Sequence, residues 1–271
     1  MLYYSWLPPQ RWYVRRPSNG HLTFFIWAEF PELCCKRMMS DNGRFPHLIT
    51  TGTAYEATGL VHRVRRPQGD EPHPTVVMLQ GRAGNEDVMW VFARAVPANW
   101  LLVAPRAIYD DPDEGGYSWH LPVSDGWATL ATFNEAVAQV TRLVEALPEL
   151  YGADPDQIYL MGFSQGAALC LALALDEPGR YRGVAGLVGF MPTVSPSLLA
   201  TAPLLHLPVL LLAGTQDERI PLAKAQEAAT AVRAAGAYLE YREYDTGHKL
   251  NGAGMRKLTN WWAEREAMRS K

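Results

Sequence analysis

A chain of 271 residues is long enough to bury a substantial core in one large α/β domain or two small ones. With 48% hydrophobic and 20% charged residues its composition is that of an ordinary globular protein, and a formal net charge of -3 offers neither nucleic acid nor an anionic membrane a complementary surface. The 3 cysteines, Cys34 and Cys35 adjacent and Cys170 far away, make no disulfide framework, which favours a reducing, cytoplasmic setting.

The first fifty residues differ from the rest. Aromatic residues such as Trp6, Trp12, Tyr13 and Trp27 are interleaved with Arg11, Arg15, Arg16 and prolines. The apolar run 22–28 is too short to span a bilayer, and Glu29 follows it at once without a small-residue cleavage site. Residues 1–50 are read as an accessory extension or a translation-start artefact, with Met38 and Met39 as candidate starts, and residues 51–271 as a catalytic domain.

Beyond residue 47 short apolar runs alternate with helical periodicity. Strands are expected over 57–66, 75–79 and 100–104. Phe133, Val137, Val140, Val144 and Leu147 recur at three- and four-residue steps and predict an amphipathic helix ending at Pro148. Further strands are expected over 158–161, 184–188, 209–212 and 238–244, and helices over 167–175, 223–235 and 253–268. Continuous apolar strands alternating with helices predict a mostly parallel central sheet covered by helices on both faces. Ligands of such sheets bind at the carboxyl ends of the strands.

Three loops at those ends carry reactive residues. Gly162-Phe163-Ser164-Gln165-Gly166 lies between a strand and a helix, the setting of a nucleophile elbow, where glycines spare a collision and the helix N-terminus turns free N–H groups toward an oxyanion. The competing account is a tight glycine turn with an incidental serine. Asp217 follows the strand over 209–212, and His248 follows the strand over 238–244. A serine hydroxyl is a poor nucleophile until an imidazole accepts its proton, and a carboxylate fixes the imidazole tautomer. Among the other histidines His120 is the one competitor; Glu218 and Asp245 are rival acids, with Asp217 preferred. The glycine-rich loop Gly81-Arg82-Ala83-Gly84 lets the backbone approach a ligand, so the N–H groups of Arg82 and Gln165 are candidate oxyanion donors; a flexible connector is the alternative. The acidic turn Asp110, Asp111, Asp113 and Glu114 reads as a solvated loop rather than a calcium site.

These pieces, together with Ala104-Pro105-Arg106, Tyr117-Ser118-Trp119 and Gly189-Phe190-Met191-Pro192, resemble the phospholipase/carboxylesterase family of α/β-hydrolases, which includes small bacterial carboxylesterases and acyl-protein thioesterases. The resemblance spans roughly residues 55–265 and implies an α/β-hydrolase fold, with Ser164 as nucleophile, Asp217 as acid, His248 as base, and the N–H groups of Arg82 and Gln165 as oxyanion donors. It also implies that Trp119 lines the acyl side of the substrate pocket, against the plainer reading of a core tryptophan. Gln80 stands where the family usually has a histidine that supports the loop, so this residue bears on pocket geometry and specificity. The short connection between the helix after Ser164 and the Asp217 strand leaves no room for a large lid domain.

The expected function is a serine carboxylesterase hydrolysing short- to medium-chain carboxylic esters through an acyl-serine intermediate. An acyl-thioesterase or lysophospholipase shares that machinery; a serine peptidase and a non-catalytic hydrolase-fold binding protein are further alternatives. No cofactor is expected, and no metal, since no His-Glu-x-x-His motif occurs. The expected partner is a small-molecule ester, with no nucleic acid and no integral membrane segment; homo-oligomerisation stays open.

Overall fold

The computed structural model describes residues 46–124 and 126–269. The reading of residues 1–50 therefore lies outside the described residues, except that His47–Ile49 form strand β1. The elements that follow are helix α1 (Gly52–Thr58), β2 (His62–Arg65), β3 (His73–Leu79), a 3-10 segment (Val88–Ala95), β4 (Leu101–Pro105), and the short strands β5 (Tyr109–Asp110) and β6 (Tyr117–Ser118). Then come α2 (Asn134–Tyr151), β7 (Ala153–Phe163), α3 (Gln165–Asp176), β8 (Val184–Leu187), α4 (Pro196–Ala200), β9 (Pro208–Gly214), α5 (Leu222–Ala234), β10 (Tyr238–Tyr244) and α6 (Gly252–Arg269).

Eight strands form one sheet in the order β1-β2-β4-β3-β7-β8-β9-β10, while β5 and β6 pair separately. From β4 through β10 every pairing is parallel; the antiparallel pairings are β1 with β2 and β2 with β4, at one edge, so β2 alone opposes the strand direction of the sheet. Alternation along each strand explains how both faces are buried. Val77, Leu79, Val103 and Leu160 pack with α2 and α3 on one side, while Val76, Met78, Leu102 and Met161 pack with the 3-10 segment and α6 on the other. Each fully buried leucine or valine contributes roughly 1.5–3 kcal/mol to that core. The expected parallel sheet with helices on both faces is present, and the only helix between β8 and β9 is the five-residue α4. Among the described residues no helix is long and apolar enough to cross a membrane.

Several expected boundaries differ, β7 for one beginning at Ala153 rather than at 158, and two of the differences have a clear physical cause. Residues 57 and 58 end helix α1 rather than start a strand, because Gly59 adopts a left-handed φ of 71° and its N–H bonds back to the Tyr55 carbonyl, leaving only His62–Arg65 extended. Helix α2 runs past Pro148 to Tyr151. A proline lacks the N–H for the preceding turn, yet the last turn survives here because Leu147 and Tyr151 are both buried against the sheet.

Tyr151 also meets β2. The fully buried His62 places Nδ1 2.8 Å from the Leu60 carbonyl and Nε2 2.6 Å from the Tyr151 hydroxyl, so Nδ1 donates to the carbonyl and Nε2 accepts from the phenol. Burial pulls the imidazole below its ordinary value, against a smaller upward pull from the Leu60 carbonyl. The folded state thus binds this proton less readily than the unfolded chain. Its contribution is full above about pH 6.5 and is lost as pH falls through the lower folded value. The urea midpoint is expected to fall between about pH 7.5 and 5, and the share owed to this imidazole to vanish in His62→Gln. A wild-type midpoint that stays flat over that range refutes the assignment.

Candidate active site

β7 feeds directly into the turn that holds Ser164, whose φ of 53° and ψ of -116° are strained for a residue with a side chain. Two glycines make the turn possible. A Cβ on Gly162 would lie 2.2 Å from the Gly166 carbonyl oxygen, and one on Gly166 would lie 2.1 Å from that of Leu79. The Ser164 N–H donates to the Leu187 carbonyl at 2.9 Å, and its own carbonyl accepts from Ala167 and Ala168 to open α3. This leaves the hydroxyl half-buried at the carboxyl end of the sheet.

The Asp217 and His248 loops are joined where β9 and β10 end. Thr215 donates to the Tyr244 carbonyl at 2.9 Å and Gln216 to that of Thr246 at 3.0 Å. Asp217 Oδ2 then lies 2.8 Å from His248 Nδ1, while Oδ1 accepts from the N–H groups of Arg219 and Ile220, both at 2.9 Å. Burial works against the charge on Asp217, but the bond to His248 and the two backbone donors outweigh it and hold the carboxyl below its usual range. The rival acids stand apart: Glu218 is exposed, and Asp245 is exposed and bonded to Gln216. His120, the competing base, turns Nδ1 to the Leu121 carbonyl and has no carboxylate partner among the described residues.

The ring of Phe163, one residue before the serine, packs edge-on against His248 with centroids 5.1 Å apart, which sets the imidazole beside the elbow. No hydrogen bond joins Ser164 Oγ to the imidazole in this conformation. Such contacts commonly tighten only when substrate binds.

The loop after β3 flanks the serine from the other side, since a Cβ on Gly81 would fall 3.2 Å from Ser164 Cβ. Neither the Arg82 N–H nor the Gln165 N–H is taken up by an acceptor among the described residues. Two residues expected at the substrate pocket have defined partners here. Trp119 is fully buried within the core and its Nε1 donates to the Gln80 carbonyl at 2.8 Å, the surroundings that the plainer reading of a core tryptophan describes. Gln80 is likewise buried, its Nε2 reaching the Tyr117 carbonyl at 3.2 Å. Both side chains support the loop because an indole or amide hidden from water must spend its donors on nearby carbonyls.

Other contacts were not foreseen. The Gln165 side chain accepts from the Trp119 N–H at 2.8 Å and exchanges bonds with Ser118, tying the elbow to the segment behind the loop. The acidic turn is not simply solvated: Asp111 is buried against Arg82, whose hydrogen bond lowers the carboxyl from its ordinary value. An arginine within a glycine-rich loop was the available signal. Next to the elbow, Gly189 lies so close that a Cβ there would fall 2.9 Å from the Ser164 carbonyl oxygen, and the following Phe190 packs edge-on with Trp127 at 4.9 Å.

Comparison with known proteins agrees with this architecture. SOBER1, a carboxylesterase of Arabidopsis thaliana, is 30% identical over 113 residues, 41% of this chain and 49% of that protein. A probable inactive carboxylesterase of Oryza sativa subsp. japonica is 33% identical over 172 residues, 60% of this chain and 66% of its own length. The chain thus spans about half to two thirds of these curated relatives. The crystal structure of a carboxylesterase from Mesorhizobium loti superposes with a TM-score of 0.68 at 22% identity, covering 80% of this chain and 98% of that one, a likeness of fold. The model of the phospholipase/carboxylesterase family matches residues 62–264, from β2 into α6. This chain, with its α/β-hydrolase fold, belongs to the phospholipase/carboxylesterase family.

Proposed function

We propose that the protein is a serine carboxylesterase that hydrolyses short- to medium-chain carboxylic esters through an acyl-serine intermediate. The observation that carries this reading is the 2.8 Å contact between Asp217 and His248 Nδ1 beside a strained elbow bearing Ser164. In the mechanism Ser164 Oγ attacks the ester carbonyl while His248 Nε2 takes the hydroxyl proton, with Asp217 holding Nδ1 protonated and stabilising the imidazolium. The N–H groups of Arg82 and Gln165 receive the charge that develops on the carbonyl oxygen. His248 returns the proton to the departing alkoxide as the tetrahedral adduct collapses to the acyl-serine. Water, deprotonated by the same imidazole, attacks the acyl carbon, and the acid leaves as the C–Oγ bond breaks and Ser164 recovers its proton.

Two features support a modest acyl chain. Close to the elbow the buried Phe190 is packed edge-on by the half-buried Trp127, and the connection between β8 and β9 adds only α4. A fluorophosphonate probe is expected to label Ser164, and a series of p-nitrophenyl esters to peak between butyrate and octanoate. Failure of labelling sinks the serine mechanism; a peak at palmitate sinks the chain-length assignment alone. The sequence-based cytoplasmic placement belongs with this proposal, its support being the lack of a disulfide framework.

A further inference from the structure

The side chain of Arg82 points away from the role assigned to its backbone. Its guanidinium is taken by the Asp111 carboxylate through both Nε and Nη2, the latter at 3.1 Å, and Asp113 adds a contact at 3.2 Å. The Asp111 side chain is 2% exposed and that of Arg82 39%, so the acid is the fixed end of the pair. Asp111 Oδ1 accepts from the N–H groups of Asp113 and Glu114, and its backbone closes the β5–β6 hairpin through bonds with Gly115 and Gly116. The hairpin also grips the loop directly, the Tyr117 N–H donating to the Gly84 carbonyl at 2.8 Å. From the same turn Glu114 accepts from Arg219 Nη1 at 3.2 Å, and the Arg219 N–H is one of the two that hold Asp217.

The loop needs such support. Ala83 has a φ of 62°, a left-handed backbone uncommon for a residue with a Cβ, and the loop's two glycines, Gly81 and Gly84, add no stiffness. An oxyanion donor works only if its N–H is aimed before charge develops, and a two-bond guanidinium–carboxylate contact fixes direction as well as distance. We propose that the Arg82–Asp111 ion pair is a positioning device that aims the Arg82 backbone N–H at the oxyanion, and that Glu114 and Arg219 couple it to the loop of Asp217. This rests on the carboxylesterase assignment made above.

The test is steady-state hydrolysis of p-nitrophenyl butyrate by the full chain carrying Asp111→Asn, Arg82→Met or both, with thermal midpoints measured alongside. Asp111→Asn keeps an oxygen for the Asp113 and Glu114 donors while removing the charge that holds Arg82. Each single variant is expected to lose about ten- to a hundredfold in kcat with KM changed less than about threefold, since aim and not ground-state binding is lost. The double variant is expected to lose no more than the worse single, because both remove one interaction. Arg82→Met alters a partly exposed side chain and serves even where Asp111→Asn folds poorly. A kcat in Arg82→Met within about twofold of wild type, or losses that multiply in the double variant, overturns the proposal. If wild-type protein neither turns over ester nor is labelled at Ser164, the carboxylesterase assignment falls, and the positioning role with it.

Discussion

Ser164→Ala is expected to lower kcat by about a millionfold, to background, while leaving the fold intact. The size of the effect follows from the proposed mechanism: without Oγ no acyl-enzyme forms, and the acid, base and oxyanion donors have no bound nucleophile to serve. The structure explains why folding should not suffer. Ser164 Oγ makes no hydrogen bond among the described residues, so its removal orphans no buried partner there. Alanine carries the same Cβ into the same strained backbone at φ 53°, so the strain is unchanged. The unfolding midpoint should match wild type within about 0.5 kcal/mol. Hydrolysis surviving in purified Ser164→Ala above a tenth of the wild-type rate would remove the serine from the mechanism.

Much of the architecture was legible because buried parallel strands leave an unambiguous trace. β10 spans the expected residues 238–244, and β9 extends the apolar run by only a few positions. Local capping was less legible. Gly59 turns α1 off by a left-handed residue, and a reading of apolar character alone merges the end of that helix with β2. Pro148 misleads in the opposite direction, since burial of Leu147 and Tyr151 is a tertiary contribution that no local signal carries. In the candidate site, chain order and loop position single out Asp217 and His248, which share a hydrogen bond. Sequence alone does not orient side chains. The resemblance implies pocket positions for Trp119 and Gln80 without showing that Trp119 Nε1 donates to the Gln80 carbonyl and Gln80 Nε2 to that of Tyr117. The bonding of Asp111 to Arg82 joins residues far apart in the chain, so an acidic turn looked merely solvated until the hairpin placed it.

Asp217→Asn is expected to cut kcat by about ten-thousandfold with little change in KM, the second-largest loss among these variants. The amide fits the same space, and its oxygen can keep both backbone donors, those of Arg219 and Ile220, so the loop should hold its shape. The second position changes sign. Where Oδ2 now accepts from His248 Nδ1 at 2.8 Å, an asparagine NH2 would donate, and Nδ1 must become the acceptor. The imidazole proton then moves to Nε2, the nitrogen that has to receive the serine proton, and the base is blocked by its own tautomer. Loss of the carboxylate charge also removes stabilisation of the imidazolium. Glu218→Gln, at the exposed neighbouring acid, is expected to stay within about twofold of wild type, which separates this effect from a general change in loop charge. Equal losses in the two variants, or an Asp217→Asn enzyme retaining a tenth of its activity, would require another acid to orient His248. Among the described residues no other carboxylate bonds to His248, and Asp245 is turned toward Gln216.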